Sequence, residues 1–449
     1  MRTPIADFVR DYDSSGAHRL HMPGHKGVGE IERLDITEIE GADSLYEASG
    51  IICESEENAS SLFGAPTYYT TEGSSHAIRA MLYLLVKRAK KMGVRPRILA
   101  ARNVHKVFVG AAALLDIEVE WLFPTEASSY LYCPIDPDAL RARLDAMCER
   151  PVALYLTSPD YLGSTADIRA IAEVCHAYGV LLAVDCAHGA YLRFLTPSRH
   201  PIDLGADLCC TSAHKTLPVL TGGAYLHLRA DAPIACRNEV KHALALFGST
   251  SPSYLTLTSL DRANAYLADG YRERLALFIK RIDAVKATLS ANGYTLWGDE
   301  PLKITLCPKS YGYLGGELAA YLYECGIVTE FSDPDFTVLM LTPELTEPTL
   351  TALVDALLAC PKREAKDAPP PVFRAPKVAC PPKEALLCAK KTVSLDNAEG
   401  KILGQITVGC PPAVPILMLG ERIDRDAIAT FRYYNVRELS VIDTDFCKI

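Results

Sequence analysis

Basic residues are in the minority. Lys and Arg total 46 against 55 Asp and Glu, a balance of −9 with the histidines neutral. Such a chain is a poor nonspecific binder of nucleic acid or anionic membrane. Long apolar runs are also missing. None approaches the ~18 residues of a membrane span, and runs such as 179–184 end quickly in Asp, Gly or Pro. No apolar h-region follows Met1-Arg2-Thr3-Pro4-Ile5-Ala6-Asp7, so no secretory leader and a cytoplasmic location are expected. The 15 cysteines contain no C-x-x-C pair, which argues against a zinc ribbon or thioredoxin-type motif, and no metal centre is expected. In a reducing compartment these thiols read as small apolar packing residues. No internal repeat is visible. What is present is core material: 449 residues, 49% hydrophobic and 22% charged. That excludes disorder and fibrous repeats and suggests about two to three domains. Small molecules and copies of the same chain are the expected partners.

From about Ala65 to Arg229, apolar strand-like runs alternate with amphipathic ones. Expected strands are 97–101, 117–122, 152–157, 180–185, 206–212 and 223–228. Expected helices include 76–91, with Ile78, Leu82, Leu85 and Val86 on one face, and 168–178, with Ile168, Ile171, Ala172 and Cys175. This alternation implies an α/β fold with a mainly parallel sheet. Residues 238–264 read as a connection, and 265–292 as one long helix with Gly270 as a weak point. An α+β segment follows, with strands at 303–307 and 337–341 and helices at 315–325 and 345–359. Six prolines between Asp367 and Pro382 predict a linker or extended crossover.

Three loop sites fall where open α/β sheets bind ligands. Thr70-Thr71-Glu72-Gly73-Ser74-Ser75, before the helix expected from near His76, offers backbone N–H groups, two hydroxyls and the positive end of a helix dipole. It reads as a phosphate cradle or as a plain N-cap. Val184-Asp185-Cys186-Ala187-His188-Gly189 ends an apolar strand in a carboxylate. That group could keep a heterocycle protonated as an electron sink, or simply cap a helix. Thr211-Ser212-Ala213-His214-Lys215-Thr216 is followed by the uncharged stretch 217–223. A lysine there is either a solvated surface group or an amine activated as a nucleophile. Cradle, then Asp, then Lys is the chain order of a pyridoxal-phosphate (PLP) enzyme of the aspartate-aminotransferase type.

Nearly end to end, the chain resembles the Orn/Lys/Arg decarboxylases of PLP fold type I, in their short form. The motifs that carry the resemblance are His21-Met22-Pro23-Gly24-His25-Lys26-Gly27, Asp35-Ile36-Thr37-Glu38, Arg102-Asn103-Val104-His105-Lys106, Asp185-Cys186-Ala187-His188-Gly189, Ser212-Ala213-His214-Lys215-Thr216, Thr250-Ser251-Pro252-Ser253-Tyr254, Ser259-Leu260-Asp261 and Gly420-Glu421-Arg422-Ile423. The resemblance implies an N-terminal segment (1–40), a PLP-binding large domain (41–264), a small α+β domain (265–366) and a proline-rich linker with a C-terminal decarboxylase domain (367–449). It implies that Lys215 forms the Schiff base, Asp185 holds the pyridine nitrogen, and His105 stacks on one ring face with Ala187 on the other. Ser74, Ser75, Ser212 and His214 would bind the phosphate. Thr250 or Ser251 would reach the phosphate of a neighbouring subunit, making the active unit a homodimer with shared sites. His188 would sit near the ring hydroxyl or the substrate carboxylate, and Lys215 or His188 would return the proton to Cα.

The implied reaction is decarboxylation of a basic amino acid in polyamine metabolism, arginine to agmatine first, with lysine and ornithine open. Glu421, Asp43 and Glu47 are candidates for the distal cation of the substrate. An aminotransferase or aldolase on the same fold, or a catalytically silent subunit, are the alternatives. The chain departs from the family pattern at Asp160, Cys186 and Leu419. Its first motif lies close to Met1, so the extra N-terminal domain of the long members is not expected.

Overall fold

The computed structural model describes residues 1–124, 129–234, 236–372, 374–406 and 412–445. Two units make up the chain, each built from several stretches. The first comprises Met1–Pro96, Arg141–Ser158 and Asp167–Ala276; the second comprises Arg97–Leu140, Pro159–Ala166 and Leu277–Ile449. In chain order the first strands are β1 (Thr67–Thr70), β2 (Arg97–Ala101), β3 (Glu118–Leu122), β4 (Ala153–Thr157), β5 (Leu181–Asp185), β6 (Leu208–Thr211) and β7 (Ala224–Leu228). Six of these match the expected strands to within two residues at each end. β1 is additional.

Five of these strands lie in the first unit, in the order β1-β7-β6-β5-β4. β4 pairs with β5 and β5 with β6 in parallel, whereas β7 runs antiparallel to both β6 and β1. Four of the five strands therefore point the same way. Every residue of β5, β6 and β7 is buried, which is why these strands read as continuous apolar runs rather than alternating ones. The helix Gly73–Met92 buries Ala77, Ile78, Met81, Leu82 and Leu85, and Ile168–Ala177 buries Ile171, Ala172 and Cys175. Each such large apolar side chain contributes roughly 1.5–3 kcal/mol on burial.

Two expectations fail in this unit. The connection expected at 238–264 is two helices, Arg237–Ala245 and Tyr254–Ala268. Their buried faces carry polar residues, which hides the apolar period. Lys241 donates to Glu56 at 2.5 Å, and Asp261 accepts from the Ile5 and Ala6 N–H groups at 2.9 and 3.0 Å. The single helix expected over 265–292 is broken, because Tyr254–Ala268 stops and a new helix, Tyr271–Ala291, starts. Gly270 between them has φ +62°, a left-handed conformation that only glycine adopts without strain.

In the second unit β2 and β3 pair in parallel. A four-stranded antiparallel sheet follows, built from β8 (Leu296–Trp297), β9 (Lys303–Leu306), β10 (Phe331–Ser332) and β11 (Thr337–Met340), in the order β10-β11-β9-β8. Helices Gly315–Glu324 and Glu347–Ala359 accompany it. Among the described residues of 361–379, the only regular pairing is the isolated bridge from Val378 to Glu421. Pro382 opens the short helix Pro382–Leu387, a position where its missing N–H costs nothing. β12 (Lys390–Ser394) and β13 (Glu438–Ile442) then pair antiparallel over a core that includes Leu403, Ile423, Phe431 and Val441.

Candidate active site

β5 delivers the carboxylate. Leu181–Val184 are buried, and the strand ends at Asp185, which is only 2% exposed. Its Oδ1 accepts from the Ala187 N–H at 3.2 Å and from Cys210 Sγ at 3.6 Å. Burial pushes the Asp185 carboxyl up. The Lys215 charge, the Ala187 amide, the Cys210 thiol and the Tyr155 hydroxyl pull it back towards the ionised form. Asp185 and Cys210 are direct partners in the β5–β6 register.

β6 delivers the amine. Ser212 follows the strand in extended conformation and opens the single helical turn Ala213–Thr216, so the Lys215 amide donates to the Ser212 carbonyl at 3.1 Å. Lys215 Nζ lies 2.9 Å from His188 Nε2. His188 is 5% exposed and sits in the turn after β5, which is closed by the Gly189 N–H donating to the Cys186 carbonyl at 2.8 Å. A carboxylate, an amine and an imidazole thus gather from the ends of two adjacent parallel strands.

The third element is the start of the helix Gly73–Met92. It opens at Gly73, three residues earlier than its apolar period predicts, so Ser74 and Ser75 occupy its first turn. The Gly73 N–H donates to the Gly222 carbonyl at 2.7 Å. Gly222 has φ +98°, and a Cβ there would stand 2.5 Å from the Thr71 carbonyl oxygen, so this closure requires glycine. Ser212 Oγ donates to Ser74 Oγ at 2.9 Å, joining the cradle to the lysine turn. His214 Nδ1 meets the Gly223 carbonyl at 3.0 Å, and its ring lies 3.9 Å from where a Cβ on Gly73 would be. Burial holds the His214 imidazole below its ordinary pKa. Hydroxyls and first-turn N–H groups at the positive end of a 20-residue helix favour an anion. Glu72 accepts from the Ser249 N–H at 2.6 Å, so the exposed Thr250 and Ser251 follow from an anchor beside the cradle.

Asp43 is engaged elsewhere in this unit. It is 8% exposed, and its carboxylate accepts from the N–H groups of Ser44, Ser49, Gly50, Ile52 and Cys53 at 2.8–3.3 Å. These contacts tie it to the start of the helix Ile51–Phe63, which leaves it little capacity for a substrate cation.

His105, Glu421 and Asp160 belong to the second unit. His105 is the N-cap of the helix Lys106–Leu114, its Nδ1 accepting from the Val107 N–H at 3.2 Å. Glu421 is 2% exposed and grips Arg102 in a two-pronged ion pair at 2.7 and 2.6 Å. It also accepts from the Met418 N–H at 2.6 Å, while the Arg102 guanidinium stacks over Trp121 and Phe123. Asp160 turns back on its own loop, accepting from the Ser164 N–H at 2.9 Å.

Cys210 hydrogen-bonds to Asp185, and Tyr155 lies on the neighbouring strand β4 opposite Ala183; neither is among the site residues expected from the sequence. The missing information is the strand register, which brings together residues 25 positions apart.

Similarity to known proteins gives the family. A family model described as the Orn/Lys/Arg decarboxylase major domain matches residues 3–305. An uncharacterized Bacillus subtilis protein, YaaO, is 31% identical over 95% of this chain and 93% of its own length. An arginine decarboxylase of Halalkalibacterium halodurans is 28% identical over 98% of this chain and 95% of its own. Among solved structures, the constitutive lysine decarboxylase of Escherichia coli superposes with a TM-score of 0.78 at 16% identity, covering 98% of this chain and 82% of that one. That likeness shows the fold, the α/β architecture of fold type I. The family match covers more than half of the sequence, so the chain belongs to the Orn/Lys/Arg decarboxylases.

Proposed function

We propose that the chain is a PLP-dependent decarboxylase of a basic amino acid, with arginine, giving agmatine, as the first substrate to test. The observation that carries this reading is the meeting of Lys215, His188 and a fully buried Asp185 at the ends of β5 and β6. The donor set fits the cofactor. Lys215 supplies an amine for an aldehyde, and Asp185 an acceptor for a ring nitrogen. Ser74, Ser75, Ser212 and His214 surround a helix start suited to a phosphate. Ala187, two residues after Asp185, donates its N–H to that carboxylate, and both Ala187 and His105 are assigned to the ring faces by the family resemblance. When bound, PLP supplies the electron sink that stabilises the carbanion left by loss of CO₂.

The residues of the chain supply the rest. Asp185 holds a proton at the ring nitrogen. His188 Nε2 accepts a proton from Lys215 Nζ across 2.9 Å, which frees the amine lone pair, and returns it later. The same pair would deliver a proton to the substrate Cα. The first-turn amides and hydroxyls fix the phosphate and orient the reacting bond. Relatives named arginine decarboxylase favour arginine as the substrate, and the family resemblance adds a place in polyamine synthesis. We further propose a cytoplasmic homodimer in which Thr250 or Ser251 reaches the phosphate of the partner subunit.

The test is direct. Protein supplied with PLP should show the visible absorption band of lysine-bound cofactor, and Lys215→Ala should abolish it. A panel of arginine, lysine and ornithine, scored by CO₂ release, then ranks the substrates. A wild type with no band, or with a band and no CO₂ from any of the three, refutes the proposal.

A further inference from the structure

The environment of Asp185 extends one layer deeper than the cofactor ligands. Cys210 and Tyr155 are both completely buried, as are Cys186 and Cys209 beside them. Cys210 Sγ lies 3.6 Å from Asp185 Oδ1, the oxygen that also takes the Ala187 N–H. Tyr155 pairs with Ala183 in the β4–β5 register, two residues before Asp185 and on the same face of the sheet, and its hydroxyl pulls the buried carboxyl towards the ionised form. Burial, and then Asp185 itself, push both the Cys210 thiol and the Tyr155 phenol well above their ordinary pKa values. Both groups therefore stay neutral donors at working pH. The titratable groups facing Asp185 are Lys215, Tyr155 and Cys210; Cys186 and Cys209 lie next to Cys210.

An isolated carboxylate in so dry a site would rather be protonated. Only the ionised form can accept a proton-bearing ring nitrogen. A proton shared between Asp185 and that nitrogen moves towards the nitrogen as donors to the carboxylate are added, and towards the carboxylate as they are removed. A serine or threonine at position 210 would supply a strong donor. The thiol is a weaker one, and the tyrosine adds the second.

We propose that Cys210 and Tyr155 are positioning residues that keep Asp185 ionised, and through it keep the ring nitrogen of the cofactor protonated. The inference rests on the PLP reading above and adds the groups that tune its electron sink. It also gives the Cys210 thiol a role besides packing.

The experiment uses the PLP-loaded enzyme with ¹⁵N in the pyridine ring, read by NMR alongside the visible spectrum and kinetics. Cys210→Ala and Tyr155→Phe should each move the ring-nitrogen signal towards its unprotonated position. Each should lower kcat roughly tenfold, the cost of one donor to a charged group, with KM for the amino acid within about twofold. Cys210→Ser keeps a donor and should restore both readouts. A purely structural role would change stability without moving the nitrogen signal, and Tyr155→Phe, nearly isosteric, guards against misfolding of the alanine variant. A wild type that takes up no PLP overturns the cofactor reading and this inference with it. A wild type with bound PLP whose Ala and Phe variants keep the wild-type nitrogen signal and kcat overturns this inference alone.

Discussion

The Lys215 amine and the His188 imidazole are hydrogen-bonded at 2.9 Å, although 27 residues separate them in the chain. The contact exists because β5 and β6 are adjacent and parallel, so the turns that follow them open on the same edge of the sheet. An imidazole beside the amine gives the site a group that can exchange a proton with it.

His188→Phe should therefore leave the cofactor band intact, because Lys215 is still present, while lowering kcat by about 10²-fold or more, the usual worth of a placed acid–base group. Absorption spectra and steady-state kinetics on the same preparation check this. Loss of the band in His188→Phe would make the residue a cofactor ligand instead.

The Glu421–Arg102 pair predicts a different pattern. Both partners are nearly inaccessible, and removing one leaves the other charge buried without compensation. Glu421→Gln should cost about 3–5 kcal/mol, read as a fall in unfolding midpoint. If Glu421 instead met the substrate cation, the variant would keep its midpoint and raise KM for arginine.

These sites differ in how far the sequence exposes them. Asp185 and Lys215 are legible because one ends an apolar strand and the other follows one by four residues, and strands buried on both faces read as unbroken apolar runs. The helices Arg237–Ala245 and Tyr254–Ala268 are not, because Lys241, Asp261 and Asn264 occupy their buried faces and find partners only after folding: Glu56, the N–H groups of Ile5 and Ala6, and the Ser55 carbonyl. β1 is hidden for a related reason. Its Thr-Tyr-Tyr-Thr sequence has no alternation, yet all four residues are buried against the antiparallel β7. The commitment of Asp43 to a helix start and of Glu421 to Arg102 is likewise a product of long-range packing that residue types alone do not reveal.

Asp43 tests that distinction. Its carboxylate satisfies five backbone N–H groups near the start of Ile51–Phe63. Asp43→Ala should destabilise the protein by about 2 kcal/mol, the upper range for loss of an N-terminal cap, and Asp43→Asn should recover part of that. The KM of the folded variants for arginine should stay near wild type. A selective rise in KM at unchanged stability would return Asp43 to the substrate pocket.

Asp160, where the family pattern has a neutral residue, yields a pH prediction. Its carboxyl is pushed up to about 7, first by burial, against the opposing pull of the Ser164 amide and the Lys303 ammonium. In the unfolded chain it would titrate near ~3.9. Between those two values the folded protein holds more protons than the unfolded one, so the contribution of this group to stability falls as pH rises from about 4 to 7. Asp160→Asn keeps an oxygen for the Ser164 N–H and removes the titration. At ~1.4 kcal/mol per pKa unit the window is worth at most about 4 kcal/mol. Thermal unfolding of both proteins from pH 5 to 8 should therefore show the wild type losing ground to the variant as pH rises, with the gap levelling off above about 7. A gap that stays constant across the range would mean that Asp160 is ionised throughout, held so by the loop amides and Lys303, and that burial does not govern its charge.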